Sequence, residues 1–247
     1  MIGRRQMAAV AAGAGLAAGL VAEHAVVRRR RTRDPERDEP FGERRGVRAR
    51  TIERPDGARL FVEEAGPRSR RGAVFVHASA MRTDVWHYQL AGLGGHRLVF
   101  YDLRGHGRSQ PKGDAPFSIP LLADDLVAVI EECGLDEVVL VGHSVGGMVA
   151  LELCVRHADL ARDAIAGLVL ANTTYCPAVE TVAGSAALTR LERVTRRPLD
   201  ALGSQSHRID VLRRVVRPSD AVFWAVAFLA FGPAASAKQI DFTYDML

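Results

Sequence analysis

The sequence is poor in the residues that would place it in several specialised classes of protein. It has 3 cysteines in 247 residues, too few and odd in number for a disulfide framework. Their spacing matches no zinc pattern, so we expect neither a metal nor a cofactor. With 48% apolar and 25% charged residues, the composition excludes a disordered or collagen-like chain and is typical of a globular protein.

The excess of positive over negative charge is confined to the N-terminal part of the chain. The formal net charge is +4, but residues 1–50 hold twelve arginines against six acidic residues. The other residues hold 21 basic and 23 acidic side chains, which is a small negative balance. The folded body therefore offers no compositional support for nucleic-acid binding.

Residues 7–22 form the longest apolar run, composed mostly of alanine, glycine, valine and leucine. At about 1.5 Å per residue it spans about 24 Å, less than the roughly 30 Å of a hydrocarbon core. We expect membrane association through residues 7–27, and the arginines at 28–31 predict a cytoplasmic body. A twin-arginine export signal beginning at Arg4 and Arg5 is an alternative, as is a plain alanine-rich helix or tail.

Beyond residue 46 the pattern becomes that of an α/β protein. Short strand-like runs at 47–54 and 59–64 flank a Pro-Asp-Gly turn and predict a hairpin. Four continuous apolar runs come next, at 73–76, 98–101, 138–141 and 167–170. Such runs are typical of parallel strands that are buried on both faces. Helical patterns at 121–133 and 145–161 separate the later runs and predict a mostly parallel, doubly wound sheet.

The helical pattern at 121–133 has clear ends. Ser118 is placed to cap its first turn and Gly134 to end it. Its apolar residues recur on one face at Leu122, Leu126 and Val129, with Ile130 and Cys133 beside them. This face is predicted to pack against the sheet.

A Gly-x-Ser-x-Gly motif lies directly between a predicted strand and a predicted helix. It consists of Gly142, His143, Ser144, Val145 and Gly146. A serine on a sharp strand-to-helix turn projects its hydroxyl above the sheet, and glycines allow the neighbouring backbone to pass closely. We therefore predict that Ser144 is a nucleophile.

Two further segments come after strand runs at the same predicted edge of the sheet. His77-Ala78-Ser79-Ala80 comes after the first run, and Tyr101 to Ser109 read YDLRGHGRS after the second. With the motif around Ser144, these segments resemble the α/β-hydrolase fold family, and most closely its lid-bearing serine esterases and perhydrolases. The resemblance covers residues 47–174, and more loosely the rest.

The resemblance implies a serine nucleophile at Ser144 and an oxyanion hole made by the backbone N–H groups of Val145 and Ser79. Family members usually have glycine where this chain has Ala78. The Cβ atom of the alanine would strain the loop if a positive φ is required there. The resemblance also implies structural roles for His77 and His106.

Other side chains in these segments have structural interpretations. We expect Asp102 and Arg104 to form a loop-fixing pair and Trp86 to lie in the core. Cys133 and Cys154 lie on predicted helices, where they are expected to act as small apolar residues.

The catalytic acid and histidine that this chemistry needs are not found in the chain. In this fold they come after the serine in sequence, at the ends of two later strands. His157 lies about 20 Å away along the next helix, and His207 is not preceded by a strand. Residues 178–194, 209–216 and 221–231 have helical patterns instead. We therefore expect an α/β-hydrolase fold that lacks its last strands because the chain is truncated at its C-terminus.

The resulting division has four parts: a hydrophobic anchor or signal (1–27), a basic linker (28–46), the α/β-hydrolase core (47–175) and an incomplete helical lid (176–247). We expect a serine hydrolase that acts on an apolar carboxylic ester or thioester through an acyl-enzyme, inactive in this truncated chain. The alternatives are a cofactor-free perhydrolase or carbon–carbon bond hydrolase, and a non-catalytic protein that binds a ligand or partner.

Overall fold

The computed structural model describes residues 4–111, 118–175 and 220–246. The chain divides into two compact units, one containing residues 1–40 and 194–245 and the other containing residues 41–193. The predicted linker and lid boundaries at 27/28, 46/47 and 175/176 stay predictions.

The described residues of the first unit form three helices: α1 (Arg4–Thr32), α6 (Asp220–Ala230) and α7 (Ala237–Met246). Val27 of α1 is fully buried against Phe223 and Ile240. Arg31 donates two hydrogen bonds to the Asp241 carboxylate, at 2.9 and 2.8 Å. The arginine-rich end of α1 thus pairs with acidic and aromatic residues of α6 and α7.

The expected membrane anchor is wrong. Within the three described ranges, no helix is both long enough and apolar enough to cross a membrane. Helix α1 has 29 residues, but alanine and glycine dominate its apolar stretch and Glu23, His24 and a run of arginines come after it. The membrane association through residues 7–27 and the anchored localisation, both of which depended on this segment, are therefore not supported.

The second unit is a six-stranded sheet in the order β1-β2-β4-β3-β5-β6. Its strands are β1 (Arg48–Glu53), β2 (Arg59–Ala65), β3 (Arg71–Val76), β4 (Leu98–Tyr101), β5 (Glu137–His143) and β6 (Ile165–Ala171). Strand β1 pairs antiparallel with β2, and β2 with β4, whereas β3 pairs parallel with β4 and β5. Strand β6 pairs parallel with β5. The predicted hairpin and the mostly parallel, doubly wound sheet are confirmed.

Within the described part of the second unit, four helices connect the strands: α2 (His87–Gly92), α3 (Ile119–Glu132), α4 (Val145–Arg156) and α5 (Ala158–Ala164). Ser118 caps α3 by accepting a hydrogen bond from the Leu121 N–H, as predicted. Gly134 comes after the helix with φ +60°. The predicted apolar face of α3 is buried in the main core with the side chains of Val74, Val76 and Leu140.

Burial of the parallel strands is less complete than their apolar sequences predict. Strand β4 is buried along its whole length, but Val139 of β5 and residues 168–170 of β6 are partly exposed. The reason is the placement of the described helices. Helices α3 and α4 cover one face, whereas α2 and the preceding 3-10 turn (Thr83–Trp86) lie over the other near β3 and β4.

Candidate active site

Ser144 occupies a strained turn between β5 and α4, which we call the elbow. Its backbone angles are φ 51° and ψ −117°, a left-handed conformation that is unfavourable for a residue with a Cβ atom. Its N–H donates to the Ala171 carbonyl at 2.9 Å, and the Thr173 hydroxyl donates to the Ser144 carbonyl at 2.6 Å. The end of β6 therefore fixes the turn from both sides of the serine.

Thr173 was not recognised from the sequence. It lies just beyond the last apolar run, and ligand sites in such sheets lie beyond the carboxyl ends of the strands. The rule that selected the other segments therefore also points to Thr173. Asn172 beside it has φ 46°, which marks a second tight turn next to the elbow.

The two glycines of the motif and Gly147 are required by close packing. A Cβ atom on Gly142 would lie 2.5 Å from the Gly147 Cα. One on Gly146 would lie 2.1 Å from the Val76 carbonyl oxygen, and one on Gly147 would lie 2.6 Å from the Thr173 side chain. The first turn of α4 therefore packs directly on the end of β3.

This packing brings the segments after β3 and β5 to one edge of the sheet. Val76 and Gly142 are register partners in adjacent parallel strands, so residues 77–81 and the serine turn leave the sheet side by side. The predicted oxyanion donors are the N–H groups of Ser79 in the first segment and Val145 at the start of α4. Their role stays a prediction, and the N-terminus of a 12-residue helix favours negative charge at this position.

Ala78 does not have the positive φ that would have strained the loop. Ala78 is not among the residues with positive φ, whereas Ala80 has φ 60°. The Met81 N–H donates to the Ala78 carbonyl at 3.2 Å and closes a turn around Ser79 and Ala80. Ala78 is 5% exposed, so its methyl group is accommodated in the core.

His77 ties two loops together. Its Nε2 accepts a hydrogen bond from the Leu103 N–H at 2.8 Å, and its Nδ1 lies 2.7 Å from the Ala78 carbonyl oxygen, to which it donates. The ring of His106 lies 5.5 Å away between centroids. Both ring nitrogens of His77 are engaged, which supports the structural role expected for it.

The pKa of His77 is lowered to about 4, mainly by burial and to a smaller extent by the neighbouring His106 and His143, while the hydrogen bond to the Ala78 carbonyl acts in the opposite direction. The ring is therefore neutral in the folded protein at neutral pH, while the unfolded chain takes up a proton near pH 6.5. Stability that is present above about pH 6.5 is lost as the pH falls towards 4, by about 3 kcal/mol in all.

This pH dependence can be tested by urea unfolding at about pH 7.5 and about pH 4.5. We expect a markedly smaller loss of stability over this interval for His77→Gln than for the unchanged chain. His96→Gln is the matched control, since His96 is exposed. An equally steep pH dependence in His77→Gln would contradict the assignment.

Asp102 and Arg104 fix loops, but not as the expected pair. The buried Asp102 carboxylate accepts hydrogen bonds from the Thr83 N–H at 2.7 Å and the Arg108 N–H at 2.8 Å. Arg104 binds Asp125 of α3 through two hydrogen bonds, at 2.9 and 2.7 Å, and also contacts Asp56. Trp86 packs at 5.2 Å from the Phe75 ring and is 7% exposed, which confirms its place in the core.

In the described part of the chain, the Ser144 hydroxyl makes no hydrogen bond to a histidine. His157 ends α4 and binds Asp124 of α3 at 2.7 Å. His143 precedes the serine, and burial lowers its pKa. His207 and Cys176 lie outside the described residues, as do the predicted helices at 178–194 and 209–216.

A family model described as the alpha/beta hydrolase fold matches residues 74–225. The chain belongs to this family. The α/β-hydrolase fold is thereby confirmed, together with the resemblance on which it was predicted.

Curated relatives match this α/β hydrolase only over short stretches. It is 36% identical over 94 residues to a non-heme chloroperoxidase of Kitasatospora aureofaciens, which covers 37% of this chain and 33% of that protein. It is 38% identical over 94 residues to a bifunctional esterase/perhydrolase of Acinetobacter calcoaceticus, covering 37% and 34%. The matches thus span about a third of the length of these relatives.

Among solved structures, an esterase from Exiguobacterium antarcticum is similar at 28% identity with a TM-score of 0.47. The match covers 51% of this α/β hydrolase and 46% of that esterase.

Proposed function

We propose that this chain carries the nucleophile and oxyanion donors of a serine hydrolase that acts on a carboxylic ester or thioester. The observation that carries the proposal is the strained turn at Ser144. A left-handed serine between a strand and a helix is costly, and here several backbone contacts maintain it. Strain that the surroundings impose on a single polar residue is typical of a functional site.

The chemistry proceeds through an acyl-enzyme. The Ser144 oxygen forms a bond to the carbonyl carbon of the substrate and loses its proton to a general base. The N–H groups of Val145 and Ser79 stabilise the negative charge that develops on the carbonyl oxygen, worth about 3 kcal/mol for each donor. The alcohol or thiol leaves with a proton, and water then releases the acid and regenerates the serine.

A cavity of about 660 Å³ beside α4 suits an apolar substrate group. Met148, one helical turn beyond Ser144, lines it with Leu151, Val155 and Ile119. Thr174, the residue after the elbow-fixing Thr173, lies at the same cavity. Predominantly apolar lining with a few polar groups is the usual character of a small-molecule site.

Labelling with a fluorophosphonate tests the proposal on the chain as it exists. The serine oxygen forms a bond to phosphorus, fluoride leaves, and the proton goes to a base. Because the described residues supply no histidine to Ser144, imidazole at about 0.1 M is added as an external base. We expect labelling at Ser144 that increases with imidazole and disappears in Ser144→Ala.

Ser79→Ala is the matched control, because the proposed donor is the backbone N–H and not the side chain. It should be labelled at the same rate as the unchanged chain. A folded chain that is not labelled at any imidazole concentration, or labelling that survives in Ser144→Ala, would contradict the proposal.

A perhydrolase is a second candidate, because the Acinetobacter calcoaceticus relative is named a bifunctional esterase/perhydrolase. Hydrogen peroxide would then replace water as the acceptor of the acyl group, giving a peracid and the free serine. Iodide oxidation in the presence of an ester and peroxide would detect the peracid, and the signal should vanish in Ser144→Ala.

A further inference from the structure

A second cavity, which polar side chains line, lies at the end of the sheet opposite to Ser144. It has a volume of about 260 Å³, and four arginines line it together with two glutamates: Arg48, Arg50, Arg68, Arg97, Glu64 and Glu132. At neutral pH these six side chains carry a net charge of +2. The four arginines come from three separate places in the fold, namely β1, the turn after β2, and the residue before β4.

The sheet register separates this cavity from the candidate active site. Arg48 is the register partner of Glu64, and Ala65 is the partner of Leu98, so the cavity lies at the amino end of β4. Ser144 lies beyond the carboxyl end of β5, which runs parallel to β3 and β4. The two sites are thus at opposite ends of the strands.

The inner arginine of the cavity has its hydrogen bonds largely satisfied. Arg97 is 10% exposed and binds the Glu64 carboxylate through Nε at 3.2 Å and Nη2 at 2.7 Å. The same guanidinium donates to the carbonyls of Ser69 and Cys133. Arg97 therefore has a fixed position and takes most of the negative charge of Glu64.

Arg50 shares this carboxylate but is bound to it less well. Its Nε lies 3.4 Å from Glu64, is buried, and has no hydrogen-bond partner within the described residues. Its Nη2 donates to the Glu132 carbonyl at 2.6 Å and contacts the Cys133 sulfur at 3.0 Å. One carboxylate thus serves two guanidinium groups, and Arg50 keeps positive charge at the cavity.

The two outer arginines are nearly without partners. Arg48 reaches only the Gly66 carbonyl, at 3.4 Å from each of its two terminal nitrogens, which is the limit of a hydrogen bond. Arg68 is exposed and makes no hydrogen bond or ion pair with any residue in the described ranges. Both side chains keep free donors at the mouth of the cavity.

We propose that this cavity binds a phosphate group, free or as a monoester. A dianion matches the excess of two positive charges, and guanidinium groups bind phosphate oxygens with paired, directional hydrogen bonds. Arg97 and the half-buried Arg50 form the floor of the cavity in fixed positions, and Arg48 and Arg68 offer free donors at its mouth. This assignment is independent of the chemistry at Ser144.

Calorimetric titration with inorganic phosphate tests the proposal, using the whole chain. We expect saturable binding that weakens at least tenfold in the double variant Arg48→Gln/Arg68→Gln. The exposed arginines of this variant lie outside the sheet core, so it should unfold with the same cooperativity as the unchanged chain. A parallel titration with phenyl phosphate distinguishes the two sources, since a monoester site binds it more tightly than free phosphate.

The matched control is Arg59→Gln/Arg71→Gln, which removes the same charge from exposed strand positions outside the cavity. Its affinity for phosphate should stay within twofold of that of the unchanged chain. An absence of saturable binding would overturn the proposal, as would equal weakening in both double variants. The arginines would then serve only to join β1, β2 and β4.

Discussion

Asp125→Ala is expected to destabilise the sheet unit by about 3–5 kcal/mol. The Asp125 side chain is fully buried in α3 and binds Arg104 at 2.9 and 2.7 Å and Arg54 at 3.0 Å. Arg104 is itself only 3% exposed, and its ion pairs with Asp125 and Asp56 raise its pKa above the usual range. Removing the carboxylate leaves a buried guanidinium that has lost its main partner.

Asp124→Ala, one position earlier in α3, is the matched control. Asp124 is 37% exposed and pairs with His157 and Arg156 at the surface, where ion pairs contribute about 1 kcal/mol or less. Urea unfolding of the two variants gives the comparison directly. If Asp125→Ala were no more destabilising than Asp124→Ala, Arg104 would be solvated and the loop after β4 would not depend on it.

The ion pairs of Arg104 could not be predicted from the sequence. The sequence placed Asp102 and Arg104 together because they are neighbours in the chain. In the structure Arg104 reaches Asp125, 21 residues away, and Asp56, 48 residues away. Ion pairs of this kind depend on which loops the fold brings together, and a local sequence pattern does not contain that information.

The strands and the elbow were predictable because local physics determines them. Continuous apolar runs give the buried strands, and all four predicted runs lie within β3 to β6. The Gly-x-Ser-x-Gly motif placed Ser144 at a strand-to-helix turn, and its φ of 51° agrees with this position. A turn of this geometry has no room for a Cβ atom at Gly142 or Gly146, so the motif itself predicts the turn.

Other features depend on tertiary context. The predicted helix at 145–161 is two helices, since His157 has φ −118° and ψ 54° and breaks the pattern without a glycine or proline. Ala78 does not have a positive φ, whereas Ala80 does, in a turn that is closed by the Met81 N–H. The membrane anchor predicted from the apolar run at 7–22 was wrong, because alanine and glycine dominate the run and Glu23 and several arginines come after it within the same helix.

Gly146→Ala is expected to cost more than about 3 kcal/mol, or to prevent folding. The new methyl group would lie 2.1 Å from the Val76 carbonyl oxygen and 2.9 Å from that of His77. Both are backbone atoms at the end of β3, and Val76 is held by pairing with Tyr101 on one side and Gly142 on the other. A flexible side chain could move away from the methyl group, but this part of the sheet cannot.

Gly92→Ala at the end of α2 is the matched control, because a Cβ atom there has nothing within 4 Å. That variant should be neutral or slightly more stable, since alanine restricts the unfolded chain. Thermal unfolding separates the two variants. Where Gly146→Ala still folds, α4 must shift away from β3 and take the Val145 N–H with it, so labelling of Ser144 should fall. Unchanged stability together with unchanged labelling would mean that α4 does not need its close contact with β3 to position the nucleophile.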